Sequence, residues 1–212
     1  MSRRNELLTL ARQVKGFMPD DEGEALFHAA LAEGQRNPRG TWLEVGAYCG
    51  KSAVYLGAAA EETSSVFYSL DHHHGSEENQ SGWEHHDTSL IDPVDGRLNT
   101  LPTWQRSIAE AQLESTVIGL IGPSIVVAQH FPVPLNLLFI DGGHGSEVAW
   151  ADYHAWTPKV TPGGTLLIHD VFPDPADGGR PPYEIYCAAL ESGRFLEEQA
   201  VGSLRVLRAV AN

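Results

Sequence analysis

The chain has almost no cysteine. Cys49 and Cys187 are the only two in 212 residues. Two such distant thiols make neither a disulfide framework nor a cysteine-based metal site. Lysine is nearly as rare, with three among the 14 basic residues, and the 28 acidic residues leave a formal net charge of −14. A chain this acidic, with no basic run, cannot hold a phosphate backbone or an anionic membrane through its overall field, so neither a nucleic acid nor a membrane is an expected partner. Long apolar runs are missing too, and no stretch approaches the roughly 18 residues of a membrane span. The opening Met1-Ser2-Arg3-Arg4-Asn5-Glu6 is too polar for a signal peptide, so a cytoplasmic location is expected. Neither an internal repeat nor a low-complexity tract beyond His72-His73-His74 is visible.

What is present is a core-forming composition. The hydrophobic fraction is 42%, and the length suits one full-sized domain with extras. Residues 4–34 carry apolar residues at helical spacing (Leu7, Leu8, Leu10, Ala11, Val14, then Ala25, Leu26, Ala29, Ala30, Leu31). They predict two helices, with Asp20 or Asp21 as the second N-cap. Residues 1–40 thus read as a helical extension, placed to cap the sheet or to form a homodimer contact, and a homodimer is expected.

From residue 41 the pattern alternates. Short apolar runs at 41–45, 65–70, 116–121, 135–140 and 164–168 are separated by helical stretches near 50–60, 102–113, 123–130 and 145–158. This predicts an α/β fold: a Rossmann-like, doubly wound, mostly parallel sheet over residues 41–212. After a helix near 183–192, runs 194–201 and 204–210 flank Gly202-Ser203 and predict an antiparallel C-terminal hairpin. Insertions at 72–101 and 172–182 follow strands, so they belong to the carboxyl edge of the sheet, where open α/β sheets bind ligands.

The first strand runs into Glu44-Val45-Gly46-Ala47-Tyr48-Cys49-Gly50-Lys51-Ser52. Three ligands compete for such a glycine turn. A phosphate-binding P-loop needs four residues between its glycines, and here Gly46 and Gly50 are separated by three. Leu137–Asp141 would serve as its magnesium strand, so a nucleotide hydrolase remains an alternative. A dinucleotide fingerprint needs a middle glycine where Tyr48 stands. The third ligand is a nucleoside without phosphate, held beside an acid at the strand end. Asp71, 21 residues after Gly50, ends the second strand where an acid can accept both hydroxyls of a ribose.

Glu44-x-Gly46 with Gly50 resembles motif I of the class I methyltransferases that use S-adenosylmethionine. The terminal hairpin fits the antiparallel seventh strand of that family. The resemblance spans about residues 41–210. It implies cofactor contacts from Glu44, Gly46, Tyr48, Gly50, Ser52 and Asp71. It adds Ser124, in Gly122-Pro123-Ser124, at the adenine. A non-catalytic adenosyl-binding protein is the remaining alternative.

Asp141-Gly142-Gly143-His144 ends the fourth strand and His169-Asp170 the fifth. Bare acids at the ends of buried strands are costly unless paired or bound to a cation. Asp141 and Asp170 suit a hard divalent ion, Mg2+ first, and His169 as a third ligand would favour Mn2+, Fe2+ or Zn2+. The pair resembles the metal-dependent O-methyltransferases, and Asp-x-x-His resembles the branch acting on sugar hydroxyls. That resemblance implies His144 as general base and a small-molecule or oligosaccharide acceptor. His72, His73, His74, His85 and His86 lack a clean zinc spacing and read as a solvated loop. Trp83, Glu84, Asp87, Trp104 and Tyr183 are candidates for an acceptor-facing surface.

Overall fold

The computed structural model describes residues 2–76, 79, 86–143 and 145–211. Helices α1 (Arg3–Gln13) and α2 (Asp20–Arg36) precede β1 (Thr41–Val45). Then come α3 (Lys51–Thr63), β2 (Val66–Asp71), α4 (Leu101–Glu110), β3 (Val117–Ile121), α5 (Ser124–His130), β4 (Leu135–Ile140), α6 (Ser146–Trp156) and β5 (Val160–Ile168). Helix α7 (Arg180–Glu191) leads into β6 (Phe195–Val201) and β7 (Leu204–Ala209).

The strands form one sheet in the order β3-β2-β1-β4-β5-β7-β6. Strands β1 to β5 pair in parallel, and β7 is antiparallel to both β5 and β6. The expected doubly wound sheet with a terminal hairpin is therefore the one formed. The chain builds outward from β1 through β2 to β3, then returns to lay β4 on the other side of β1. The order reverses between β1 and β4, and their carboxyl tips part into a crevice.

Strand periodicity sorts the core into two layers. Trp42, Phe67, Leu137, Phe139 and Leu167 pack beneath α1–α4 with Leu7, Ala11, Leu26, Phe27 and Tyr55. Leu43, Val45, Leu138, Ile140, Leu166 and Ile168 pack beneath α5–α7 with Tyr153, Trp156 and Ile185. Glu44 points to the first of these faces, between apolar neighbours, and is completely buried.

The N-terminal helices belong to the first core rather than standing off it. Arg3 and Arg4 of α1 pair with Glu61 and Glu62 of α3. Glycines on α2 let it lie close on α3. A Cβ at Gly23 would come within 2.3 Å of the Tyr55 ring, and one at Gly34 within 2.4 Å of Thr63. The capping expectation for α2 is corrected. Pro19 is the N-cap, while Asp20 and Asp21 lie in the first turn, where their charge faces the positive end of the helix dipole. Strand β5 begins four residues early, because Val160 pairs with Leu135 ahead of a register shift.

The 72–101 insertion is more packed than a solvated loop. It holds a short 3-10 turn at Thr88–Leu90 and an isolated bridge between Ile91 and Leu98. His73 is buried, with Nδ1 2.8 Å from Thr100 Oγ1. His74 Nδ1 lies 3.1 Å from the Leu98 carbonyl and His86 Nδ1 3.1 Å from that of Asn79, while His72 is exposed. His85, Trp83 and Glu84 lie outside the described residues. Among the described residues no helix is long and apolar enough to cross a membrane.

Gly34→Ala separates local propensity from packing. In an isolated helix it would stabilise by about 1 kcal/mol. Against Thr63 it is expected to destabilise by about 1–3 kcal/mol. Thermal denaturation checks this, and a Tm equal to or above wild type would show that α2 does not lie this close on α3.

Candidate active site

The glycine turn after β1 is shaped by a contact that leaves no room for a side chain at Gly46. Gly46, Tyr48 and Gly50 all have positive φ, at 93°, 45° and 95°. A Cβ on Gly46 would stand 2.1 Å from the Asp141 carbonyl oxygen, so the tips of β1 and β4 touch through backbone alone. Backbone bonds continue across the tips, from Gly46 N to Leu70 O (2.9 Å), Asp141 N to Val45 O (2.9 Å) and His169 N to Ile140 O (3.1 Å).

Asp71 closes the turn from the end of β2. Its Oδ2 accepts the amides of Ala47 (2.9 Å) and Tyr48 (2.8 Å), and its Oδ1 accepts that of His73 (2.7 Å). A carboxylate has about four acceptor positions, so one remains for an outside donor. The same contacts weigh against a phosphate cradle, since two amides that would face a phosphate already face a carboxylate.

Glu44 lies beneath the turn. Its Oε2 accepts from Ser52 Oγ (2.9 Å) and its Oε1 from Ser69 Oγ (2.5 Å). Trp104 Nε1 donates to Ser69 Oγ at 3.1 Å. Trp104 is thus a buried support that packs on Gly119, not part of an acceptor-facing surface. Burial pushes the Glu44 carboxyl up to about 8, with Asp141 and Asp71 adding repulsion and the two serine bonds opposing it. The structure therefore brings Glu44 and Ser52 to each other under the turn, while Gly46, Tyr48, Gly50 and Asp71 form its surface.

Ser124 opens α5 on the opposite face. Its Oγ accepts from Trp156 Nε1 at 2.8 Å and lies near Asp152, a residue the sequence reading passed over. Asp152 is buried, with Oδ1 lacking a partner among the described residues, and burial raises its carboxyl to about 6. Its Oδ2 packs 3.0 Å from where a Gly142 Cβ would be, so Ser124 and the β4 tip meet through Asp152.

Beside the turn, Asp141, His169 and Asp170 converge, with one potential ligand atom from each lying within 4.8 Å of the others. His169 Nδ1 is 2.9 Å from Asp141 Oδ1 and 3.4 Å from Asp170 Oδ2. Asp170 takes positive φ (56°), a region uncommon for non-glycine residues but one that Asp adopts more readily than most. Burial of His169 favours the neutral ring, but Asp141, Asp170 and Glu22 together outweigh it and raise its pKa well above the ordinary value. Two carboxylates and an imidazole facing one point fit a divalent cation. His144 lies outside the described residues.

A cleft beside the turn joins Tyr48 and Asp87 to residues that sequence reasoning missed. The cleft, of about 320 Å³, is lined by Lys15, Gly16, Phe17, Tyr48, His86, Asp87 and Thr88. Phe17 packs on Tyr48 with ring centroids 5.2 Å apart. Lys15 pairs with Asp87 and donates to Ser89 Oγ at 3.0 Å, which joins the α1–α2 connection to the 72–101 insertion. Nothing in the helical spacing of residues 4–34 marks Lys15 or Phe17 as site residues.

Glu44 gives a pH-dependent test. As pH rises from about 4.5 to about 8 the unfolded chain ionises this carboxyl while the fold keeps it protonated, so wild type loses stability across that window. Glu44→Gln escapes the loss. Its Tm advantage should grow between pH 5 and 8, by roughly 1.4 kcal/mol per pH unit at most, and then level off. A variant that instead falls behind as pH rises would mean that Glu44 is ionised in the fold.

The architecture recurs in solved structures. An O-methyltransferase from Bacillus cereus, in complex with SAH, is 16% identical with a TM-score of 0.63, over 99% of this chain and 91% of its own. An SAH-bound methyltransferase from Podospora anserina is 13% identical with a TM-score of 0.67, over 100% and 89%. The O-methyltransferase NovP is 16% identical with a TM-score of 0.67, over 91% and 81%. At these identities the likeness is one of fold. Membership rests on the sequence itself. The profile of the methyltransferase-domain family matches residues 43–171, more than half of the chain, from the first strand past the Asp141, His169 and Asp170 cluster, and the protein belongs to that family.

Proposed function

We propose that this protein is an S-adenosylmethionine-dependent O-methyltransferase that works with a divalent metal. Its acceptor is a hydroxyl of a sugar or another polyhydroxylated small molecule. The observation that carries the reading is the contact between Gly46 and Asp141, which sets a turn suited to an adenosyl ligand directly against a cluster suited to a cation. The two SAH-bound structures of the same fold support the choice of donor.

The donor is a sulfonium cation that is already activated, so the protein has to orient it and desolvate the acceptor. Asp71 holds the turn open and keeps an acceptor position for a ribose hydroxyl. Asp141 adds negative potential where the cationic end would lie, and Glu44, kept protonated by burial, supports the turn from beneath. Ser124 and Asp152 stand at the far end of the crevice, where the adenine belongs. Asp141, His169 and Asp170 would hold the metal, Mg2+ in the first instance. When bound, the metal acidifies a hydroxyl that is a poor nucleophile at neutral pH. His144, three residues beyond Asp141, takes the proton as general base. The cleft walled by Phe17, Tyr48 and the Lys15–Asp87 pair receives the acceptor.

Three measurements test the reading. In thermal shift, S-adenosylmethionine should stabilise the protein and ATP should not; the reverse would return the glycine turn to the nucleotide-hydrolase alternative. With a panel of polyhydroxylated acceptors, His144→Ala should lower kcat by about 10²-fold or more with donor affinity nearly intact. Chelation with EDTA should suppress turnover. Rates unchanged in EDTA would remove the metal from the mechanism, and donor binding with no transfer to any acceptor would favour a non-catalytic binder.

A further inference from the structure

Glu22 sits on α2, far in sequence from Asp141, His169 and Asp170, yet its carboxylate is buried against His169. Only 4% of Glu22 and 5% of His169 is exposed. Glu22 Oε2 lies 2.5 Å from His169 Nε2. The other side of the same carboxylate meets the β6–β7 turn, where Oε1 accepts the Ser203 amide at 2.6 Å and Oε2 accepts from Ser203 Oγ at 3.1 Å. The turn is built around it. Gly202 has φ 51°, and a Cβ there would stand 2.0 Å from Glu22 Oε1.

We propose that Glu22 is a positioning residue for the metal edge: it claims the N–H of His169 Nε2 and so presents Nδ1, as a lone pair, to the point between Asp141 and Asp170. This rests on the reading of Asp141, His169 and Asp170 as a divalent-cation site. The argument is one of donors and acceptors. A neutral imidazole has one N–H and one lone pair, and an ionised carboxylate can only accept. In the metal-free protein both ring nitrogens face carboxylates, Nε2 on Glu22 (2.5 Å) and Nδ1 on Asp141 (2.9 Å); a cation held by Asp141 and Asp170 would displace the Nδ1 hydrogen, while Glu22 keeps the one on Nε2 and so leaves Nδ1 as the ligand atom. Partners of this kind on the second nitrogen of a metal-binding histidine fix its tautomer and ring orientation, and their loss commonly weakens metal affinity by about 10–100-fold. The N-terminal helix and the C-terminal hairpin, both remote in sequence from strands β4 and β5, thereby set the geometry of a ligand between them.

Replacing one oxygen with NH2 makes a test that a merely structural role would fail. The Ser203 backbone N–H is a fixed donor, so in Glu22→Gln the amide oxygen must stay on Ser203 and the NH2 must face His169 Nε2. Nε2 then has to accept, and the hydrogen moves to Nδ1, where the cation would bind. Glu22→Ala removes the partner and leaves the ring free to choose. Mn2+ binding to the apo protein is measured by isothermal titration calorimetry, with histidine 14N couplings to Mn2+ read by electron spin-echo spectroscopy and Tm by circular dichroism.

Expected is a crossed order. Mn2+ affinity falls from wild type to Glu22→Ala to Glu22→Gln, the last by about 10–100-fold with loss of the nitrogen coupling. Tm falls from wild type to Glu22→Gln to Glu22→Ala, because truncation leaves a buried hole. Ser203→Ala, which keeps the Glu22 contact with His169, should bind Mn2+ as wild type does. Affinity that simply follows Tm, or a Glu22→Gln protein with wild-type affinity and coupling, overturns the proposal. Wild type that binds Mn2+ without a histidine coupling, but loses it in Asp141→Asn, leaves the metal reading standing and the role of Glu22 refuted. Wild type that binds no Mn2+ removes both.

Discussion

The tips of β1 and β4 approach until no side chain fits between them, and the site depends on that contact. Gly46 lies against the Asp141 carbonyl with space for a hydrogen only. The reversal of strand order opens a crevice at this point, and the close approach makes the crevice narrow. A turn that exposes backbone to a nucleoside and a carboxylate that can face a cation are thereby brought into one site. Neither could shift without the other, because each is the other's packing partner.

Around that contact the chemistry is uniformly acidic. Glu44, Asp71 and Asp141 lie close enough for the second and third to raise the first. The fold tolerates them by different means. Glu44 is kept protonated by burial with a serine on each oxygen, Asp71 accepts three backbone amides, and Asp141 meets His169. An acidic crevice on a chain of net charge −14 attracts cations and repels phosphates. A sulfonium donor and a divalent metal are the ligands that such a field favours.

The rest of the molecule supports this edge from both ends of the chain. Helix α2 reaches under the sheet tips to meet His169, and the β6–β7 turn wraps the same carboxylate. The α1–α2 connection supplies Lys15, Gly16 and Phe17 to the cleft. The segment before β1 is therefore both part of the first core layer and a wall of the site.

The strand ends were legible in the sequence. Short apolar runs, the glycines that follow them and the acids at their tips carry their meaning locally, so the sheet, the glycine turn, Asp71, Asp141, His169 and Asp170 were all readable from spacing. Local pattern said nothing of what would land on those tips. Glu22 looks like any acid in the first turn of a helix, and Asp152 like one polar position on an amphipathic one. His73 read as part of a solvated loop and Trp104 as a candidate for the acceptor-facing surface, and both are buried supports. Their roles arise where elements distant in the chain meet, and which side chains meet is decided by how helices seat on a twisted sheet. Periodicity along the chain determines which face of an element is apolar; only the packed structure determines which polar group at the end of that face is left pointing into the crevice.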